Sequence, residues 1–217
     1  NIFDIFHEDY EGNELKNIIE RDNVDLTIEF RNGKNIFFAL ACNYNVKEYF
    51  LLVKNHFKKL GKDIKKYLNQ KDDNGNTLLN YVIVNYPHIL NNLDENNDFS
   101  NGDKSLVESK CLDNIKYLVE EGCDLNIETN NKNYLEYLNS NTLIDDEIIS
   151  LLNYQDYVLN LCKYLIDNGV NPYYDDNRIH LLIYGACENG HIELLKLLLK
   201  NNADINTTYD SNTLLDI

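Results

Sequence analysis

Three clusters of carboxylates are the first residues whose type and spacing could do chemistry: Asp72-Asp73, Asp145-Asp146-Glu147 and Asp175-Asp176. Adjacent carboxyls can divide acid–base work when burial splits their pKa values. These clusters fall in stretches that read as turns and insertions, where water keeps every member ionised. A metal site would need His, Cys and carboxylates converging at set spacings. His7, His56, His88, His180 and His191 are scattered one per region, and neither Cys-x-x-Cys nor His-Glu-x-x-His occurs. The nine glycines stand singly, so no phosphate-cradling loop is present, and no Cys–His spacing points to a nucleophile pair. The residues predict no catalytic group, no metal site and no cofactor site, and the chain reads as not an enzyme.

The elements that would position such groups repeat. Asn202-Ala203-Asp204-Ile205-Asn206 aligns with Gly122-Cys123-Asp124-Leu125-Asn126, with Asn23-Val24-Asp25-Leu26-Thr27 and, more loosely, with Gly169-Val170-Asn171-Pro172. Each copy follows a helical apolar run, with Leu198, Leu118, Ile19 and Leu165 four residues before the Gly or Asn. The last two copies are 33 residues apart, a spacing found in repeat arrays. Gly or Asn just past a helix accepts a left-handed backbone and turns the chain. A second phrase falls between the copies. Asn74-Gly75-Asn76-Thr77-Leu78-Leu79 recurs as Ser211-Asn212-Thr213-Leu214-Leu215, and more weakly at Asn32–Phe37 and Asn131–Leu135. A turn, then Thr, then two apolar residues reads as a capped helix start, with the Thr hydroxyl accepting from an orphan backbone N–H. The unit is turn, helix, helix, hairpin.

These two linked phrases resemble the ankyrin repeat family, most closely at Ala186-Cys187-Glu188-Asn189-Gly190-His191-Ile192-Glu193 leading into Leu198-Leu199 and Asn202–Asn206. No copy keeps the family's Thr-Pro-Leu-His: Leu78 and Leu214 stand where Pro is usual, and Asn80 and Asp216 where His is usual. Individual repeats should therefore be weaker than consensus ones. The resemblance implies an all-α fold, a solenoid of paired antiparallel helices with β-hairpin or loop fingers, in about five repeats plus a partial sixth. Residues 1–217 then form a single repeat domain. Its units are 1–31 (partial), 32–73, 74–130 with an insertion at 91–105, 131–174 with an insertion at 140–157, 175–210, and 211–217 (partial). The first insertion, polar and aperiodic, reads as a surface loop. The second keeps helical spacing at Leu143, Ile144, Ile148, Leu151 and Leu152. The missing initiator Met and the half-finished last repeat predict a fragment of a longer chain.

The resemblance also implies a non-catalytic protein–protein interaction module, a scaffold or adaptor that binds through hairpin tips and a concave helix face. The tip positions are Arg31 and Asn32, Lys71 to Asn74, Glu128 to Asn130, Tyr173 to Asp176 and Thr208 to Asp210. Tyr173, Tyr174 and Tyr209 read either as interface anchors, since Tyr offers large rigid contact area, or as rings covering the hairpin stem. Asp72, Asp73, Glu128, Asp175, Asp176 and Asp210 line one edge of the array and favour a basic protein segment as partner. The alternative is a surface acidic on all sides. Two other functions stay open: the recruitment arm of a larger enzyme, and a structural spacer.

The formal charge of −16 argues against nucleic acid, which needs clustered Lys and Arg. The one basic stretch, Lys54 to Lys66, reads as the solvated face of a long second helix. No run reaches the roughly eighteen apolar residues of a membrane span, and no signal region begins the chain. No small-molecule substrate is expected. Cys42, Cys111, Cys123, Cys162 and Cys187 are odd in number and fall at core positions of the repeats, which favours buried free thiols and an intracellular, cytoplasmic setting. The Asn content, about one residue in six, reads as a base-composition bias.

Overall fold

The computed structural model describes residues 16–18, 25–29, 31–41, 46–83, 101–129, 134–135, 155–170, 183, 186–187, 190–206, 208–209 and 212–213. The chain divides into two compact units, Asn1–Asp124 and Leu125–Ile217. Its principal helices are α1 (Ile36–Leu40), α2 (Val46–Lys59), α3 (Ile64–Leu68), α4 (Asn101–Glu121), α5 (Gln155–Asp167) and α6 (Ile192–Lys200). A two-residue antiparallel pair joins β1 (Thr208–Tyr209) to β2 (Asn212–Thr213), with Thr208 opposite Thr213 and Tyr209 opposite Asn212.

One turn ends helix after helix. Gly61 N–H donates to Lys58 O at 3.1 Å and Lys62 N–H to Phe57 O at 3.0 Å. The same pair of bonds recurs from Gly122 to Val119 and Cys123 to Leu118, from Gly169 to Ile166 and Val170 to Leu165, and from Asn202 to Leu199 and Ala203 to Leu198, all between 2.9 and 3.0 Å. This is the Schellman geometry, which satisfies helix carbonyls left without an intrahelical donor. It requires positive φ at the residue just past the helix. Gly122 has φ 116 and Asn202 has φ 67, so the aligned Gly/Asn column of the sequence is the column that turns. The copy at Asn23 lies outside the described residues. Two further residues on, an Asp carboxylate accepts a backbone N–H in three of the copies: Asp25 from Thr27 (2.9 Å), Asp63 from Lys65 (3.0 Å) and Asp204 from Asn206 (2.8 Å). These Asx turns fix the exit direction of the chain.

In the first unit, the apolar face of α2 follows helical spacing through Val46, Tyr49, Phe50, Val53 and Phe57, all buried. Phe37 of α1 lies against Phe50 and Phe57, with ring centroids 5.5 and 5.4 Å apart. Phe57 meets Tyr67 of α3 edge-on at 4.9 Å, and Phe50 meets Tyr117 of α4 edge-on at 5.4 Å. Aromatic contacts therefore run from α1 through α2 to both later helices. In the second unit, Tyr157, Leu161, Cys162 and Leu165 of α5 and Leu194 and Leu198 of α6 are buried, and the two helices pack together.

Two local readings change. The basic stretch is two helices, because α2 stops at Lys59 and α3 starts at Ile64, with Gly61 turning between them. The polar stretch 91–105 is not all loop, since α4 begins at Asn101. Thr77 N–H and Oγ1–H both donate to Asn80 Oδ1 at 2.8 Å, so Asn80 does the accepting at the position where the family usually has His.

Leu198 is 2% exposed, and its carbonyl closes the last Schellman turn. Leu198→Ala should cost about 2–5 kcal/mol in chemical denaturation, the range for emptying a well-packed Leu site. A loss within about 0.5 kcal/mol, typical of surface substitutions, would contradict this packing.

Candidate functional site

The finger between α3 and the helical turn at 78–83 shows how a tip is built. Asn69 and Gln70, at its base, tie separate segments together. Asn69 Nδ2 donates to Gly122 O at 2.9 Å while its Oδ1 accepts from Asp124 N–H at 2.8 Å. Gln70 Nε2 donates to Glu29 Oε1 (2.6 Å) and Gly33 O (3.3 Å), and its own Oε1 accepts from Asn35 Nδ2 (3.0 Å). Asn35 is fully buried. Its Oδ1 caps α1 at Phe37 N–H, and its Nδ2 also donates to Tyr67 O at 2.8 Å. Each amide offers both donors and acceptors, which suits it to bridge backbone from neighbouring segments.

Asp72 is the bolt of this finger. It is 6% exposed. Its Oδ1 accepts from Asn74 N–H (3.0 Å) and Asn76 N–H (2.8 Å), and its Oδ2 from Tyr81 Oη–H (2.6 Å). Tyr81 in turn meets Phe38 edge-on at 5.5 Å and carries Lys34 Nζ 4.2 Å above its ring. The sequence places Asp72 among solvated tip acids; the structure buries it, because the tight turn aims two backbone donors at its carboxylate. Asp73, its neighbour, is exposed. The Asp73 N–H donates to Asn32 O at 3.0 Å, which joins two fingers edge to edge. The approach is close enough that a Cβ on Gly33, at φ 70, would meet Asp73 Oδ1 at 2.6 Å. Only a glycine fits there.

Of the other candidate tip residues, Glu128 is half-buried. Tyr209 lies in β1 by its backbone. Tyr173, Tyr174, Asp175, Asp176 and Asp210 lie outside the described residues. The described tip surface of the first unit is thus Ile28, Glu29, Asn32, Lys71, Asp73 and Asn74, all exposed and of mixed charge.

Burial shifts several titratable groups among the described residues. Burial pushes the Cys123 and Cys162 thiols up to about 12, and partial burial raises Cys187. Thiolate is the nucleophile, so little is available at neutral pH. His191 lines a cleft of about 400 Å³ with Val158, Ile192 and Glu193. Its Nε2 has no hydrogen-bond partner, and burial lowers its pKa, which keeps the ring neutral. The nearby Glu193 carboxylate is bonded instead to Lys196 at 2.7 Å. Among the described residues no group of three His, Cys, Asp or Glu could hold a metal, and no helix is long and apolar enough to cross a membrane.

The turn at Gly190 repeats the same geometry inside a single unit, with Gly190 N–H to Cys187 O at 3.1 Å and His191 N–H to Ala186 O at 2.8 Å. Residues 180–210, which contain this turn, α6 and the Asn202 turn, match the Ankyrin repeat family model. That stretch of the chain is similar to an ankyrin repeat. No curated protein matches it. Ankyrin repeats generally mediate protein–protein interaction and are typically non-catalytic.

The bridging amides Asn35, Asn69 and Gln70 escaped the sequence reading. No local signal marks them, since their bridging partners lie 32 to 55 residues away.

Two expectations follow from this site. Asp72→Ala leaves buried donors without an acceptor and should cost about 1–3 kcal/mol, whereas Asp73→Ala should stay within about 0.5 kcal/mol; urea denaturation of both variants separates them. Under native conditions at neutral pH a disulfide thiol reagent should label Cys187 ahead of Cys123 and Cys162, whose reaction should quicken only when the chain is unfolded. Immediate labelling of Cys162 in the folded protein would contradict its burial.

Proposed function

We propose that this chain is a non-catalytic scaffold or adaptor that holds a protein partner across the tips of successive fingers. The observation that carries the reading is the division of labour in the finger at 69–76. Asp72, Asn69 and Gln70 spend their polar groups on bracing the turn, while the side chains of Lys71, Asp73 and Asn74 point to water. A rigid backbone that presents side chains outward loses little conformational entropy on binding. Asp73 and Glu128, together with Asp175, Asp176, Asp210, Tyr173, Tyr174 and Tyr209, form the partner-binding set, and the acids favour a basic protein segment. Asp72 drops out of that set, since its carboxylate is already bonded within the turn.

Exchanging charge at the tips tests this. Asp73→Lys with Glu128→Lys should weaken a partner captured from the native cell by about tenfold or more, the scale of losing interface anchors. Lys116→Glu with Glu120→Lys on α4 serves as control and should change affinity by less than about twofold. Equal losses from both pairs would remove the tips as the binding surface.

A further inference from the structure

Charge in this chain is unevenly placed. Residues 25–83 carry ten basic against six acidic residues, while the rest of the chain carries ten basic against thirty acidic. Six lysines crowd into residues 54–66 with a single acid, Asp63. The fold uses two of them. Lys54 is paired with Glu121, and the stem of Lys65 lies across Gly122, where an added Cβ would meet its Cγ and Cε at 3.2 Å. The carboxylate of Asp63 is occupied by Lys65 N–H. Among the described residues, no ion pair engages Lys58, Lys59, Lys62 or Lys66, and all four are exposed, although the Asp25 carboxyl, its pKa lowered first by hydrogen bonds from Thr27, lies near enough for the charge of Lys62 to help lower it. Leu60, 47% exposed, sits in their midst.

Helix-end electrostatics explains only part of this. The C-terminus of α2 carries about half a unit of negative charge, less than the charge of one lysine. Sequence proximity supplies the rest: the last turn of α2 (Lys58, Lys59), the loop (Lys62) and α3 (Lys66) lie within nine residues, and α3 stays against the end of α2, where Tyr67 meets Phe57 at 4.9 Å.

We propose that this Lys58–Lys66 surface is a second docking site, separate from the finger tips, and that its occupant is an acidic protein segment carrying apolar side chains. Opposite charge supplies steering and Leu60 an apolar contact. A polyphosphate chain fits less well. The net charge of −16 repels a long polyanion or an anionic membrane beyond the patch, over a Debye length of about 8–10 Å. A short acidic segment stays within the patch.

The probe is a fluorescent peptide rich in Glu with Leu interspersed, its Gln counterpart as control, read by anisotropy against the full chain. The Glu peptide should bind, the Gln peptide should not, and affinity should fall several-fold between about 50 and 200 mM salt as the Debye length shrinks. Lys58→Glu/Lys59→Glu/Lys62→Glu should weaken binding by about tenfold or more, with an unchanged melting temperature because all three side chains are exposed. Asp73→Lys/Glu128→Lys should leave it intact, which keeps this surface distinct from the tips. No binding by the Glu peptide overturns the proposal, as does binding that the triple variant retains. Equal or tighter binding of single-stranded DNA or phosphatidylserine vesicles overturns the choice of occupant. Salt-sensitive self-association in sedimentation, lost in the triple variant, would instead assign the surface to a second copy of the chain.

Discussion

The end of a helix is where this fold is decided. A helix that stops leaves carbonyls without donors, and in a chain built of short helices those ends are frequent. Here the same answer recurs: one residue at positive φ sends its own N–H and the next one back onto the last turn. Leu118, Leu165 and Leu198 accept the longer of these bonds and are also fully or nearly fully buried. The turn and the core are thereby one structure. A carbonyl satisfied in this way lets the Leu side chain remain in the apolar interior, and the Asx turn that follows fixes where the chain goes next.

From that constraint the fingers follow. Each must cross back to start another helix, and its backbone needs partners it cannot find locally. In the first unit side-chain amides supply them. Asn35, Asn69 and Gln70 reach carbonyls and N–H groups contributed by other segments, and Asp72 holds the turn from inside. Departures from the family pattern gain meaning here. Asn80 stands where His is usual and still receives both Thr77 donors. The geometry needs an acceptor at that site and does not need an imidazole.

Polar residues so heavily engaged in structure leave a narrow set for recognition. Exposed side chains at the tips are one part of it. The exposed lysines around Leu60 are another.

The repeat itself was legible in the sequence, because a helix end needs Gly or Asn at one position and an Asp two residues later, and both are local demands that residue type alone records. The break at Gly61 was written in the chain as well, but the lysines around it resemble one continuous solvated face, and only the helix ends at Lys59 and Ile64 reveal two elements. Asp72 and Asp73 are chemically identical neighbours, and no local rule separates the buried one from the free one. What separates them is Tyr81, nine residues on, and Asn32 in another finger. The roles of Asn35, Asn69 and Gln70 likewise depend on partners 32 to 55 residues away. Residue type records what a side chain can bond; which partner arrives is set by how distant segments fold together, and that is a property of the folded chain.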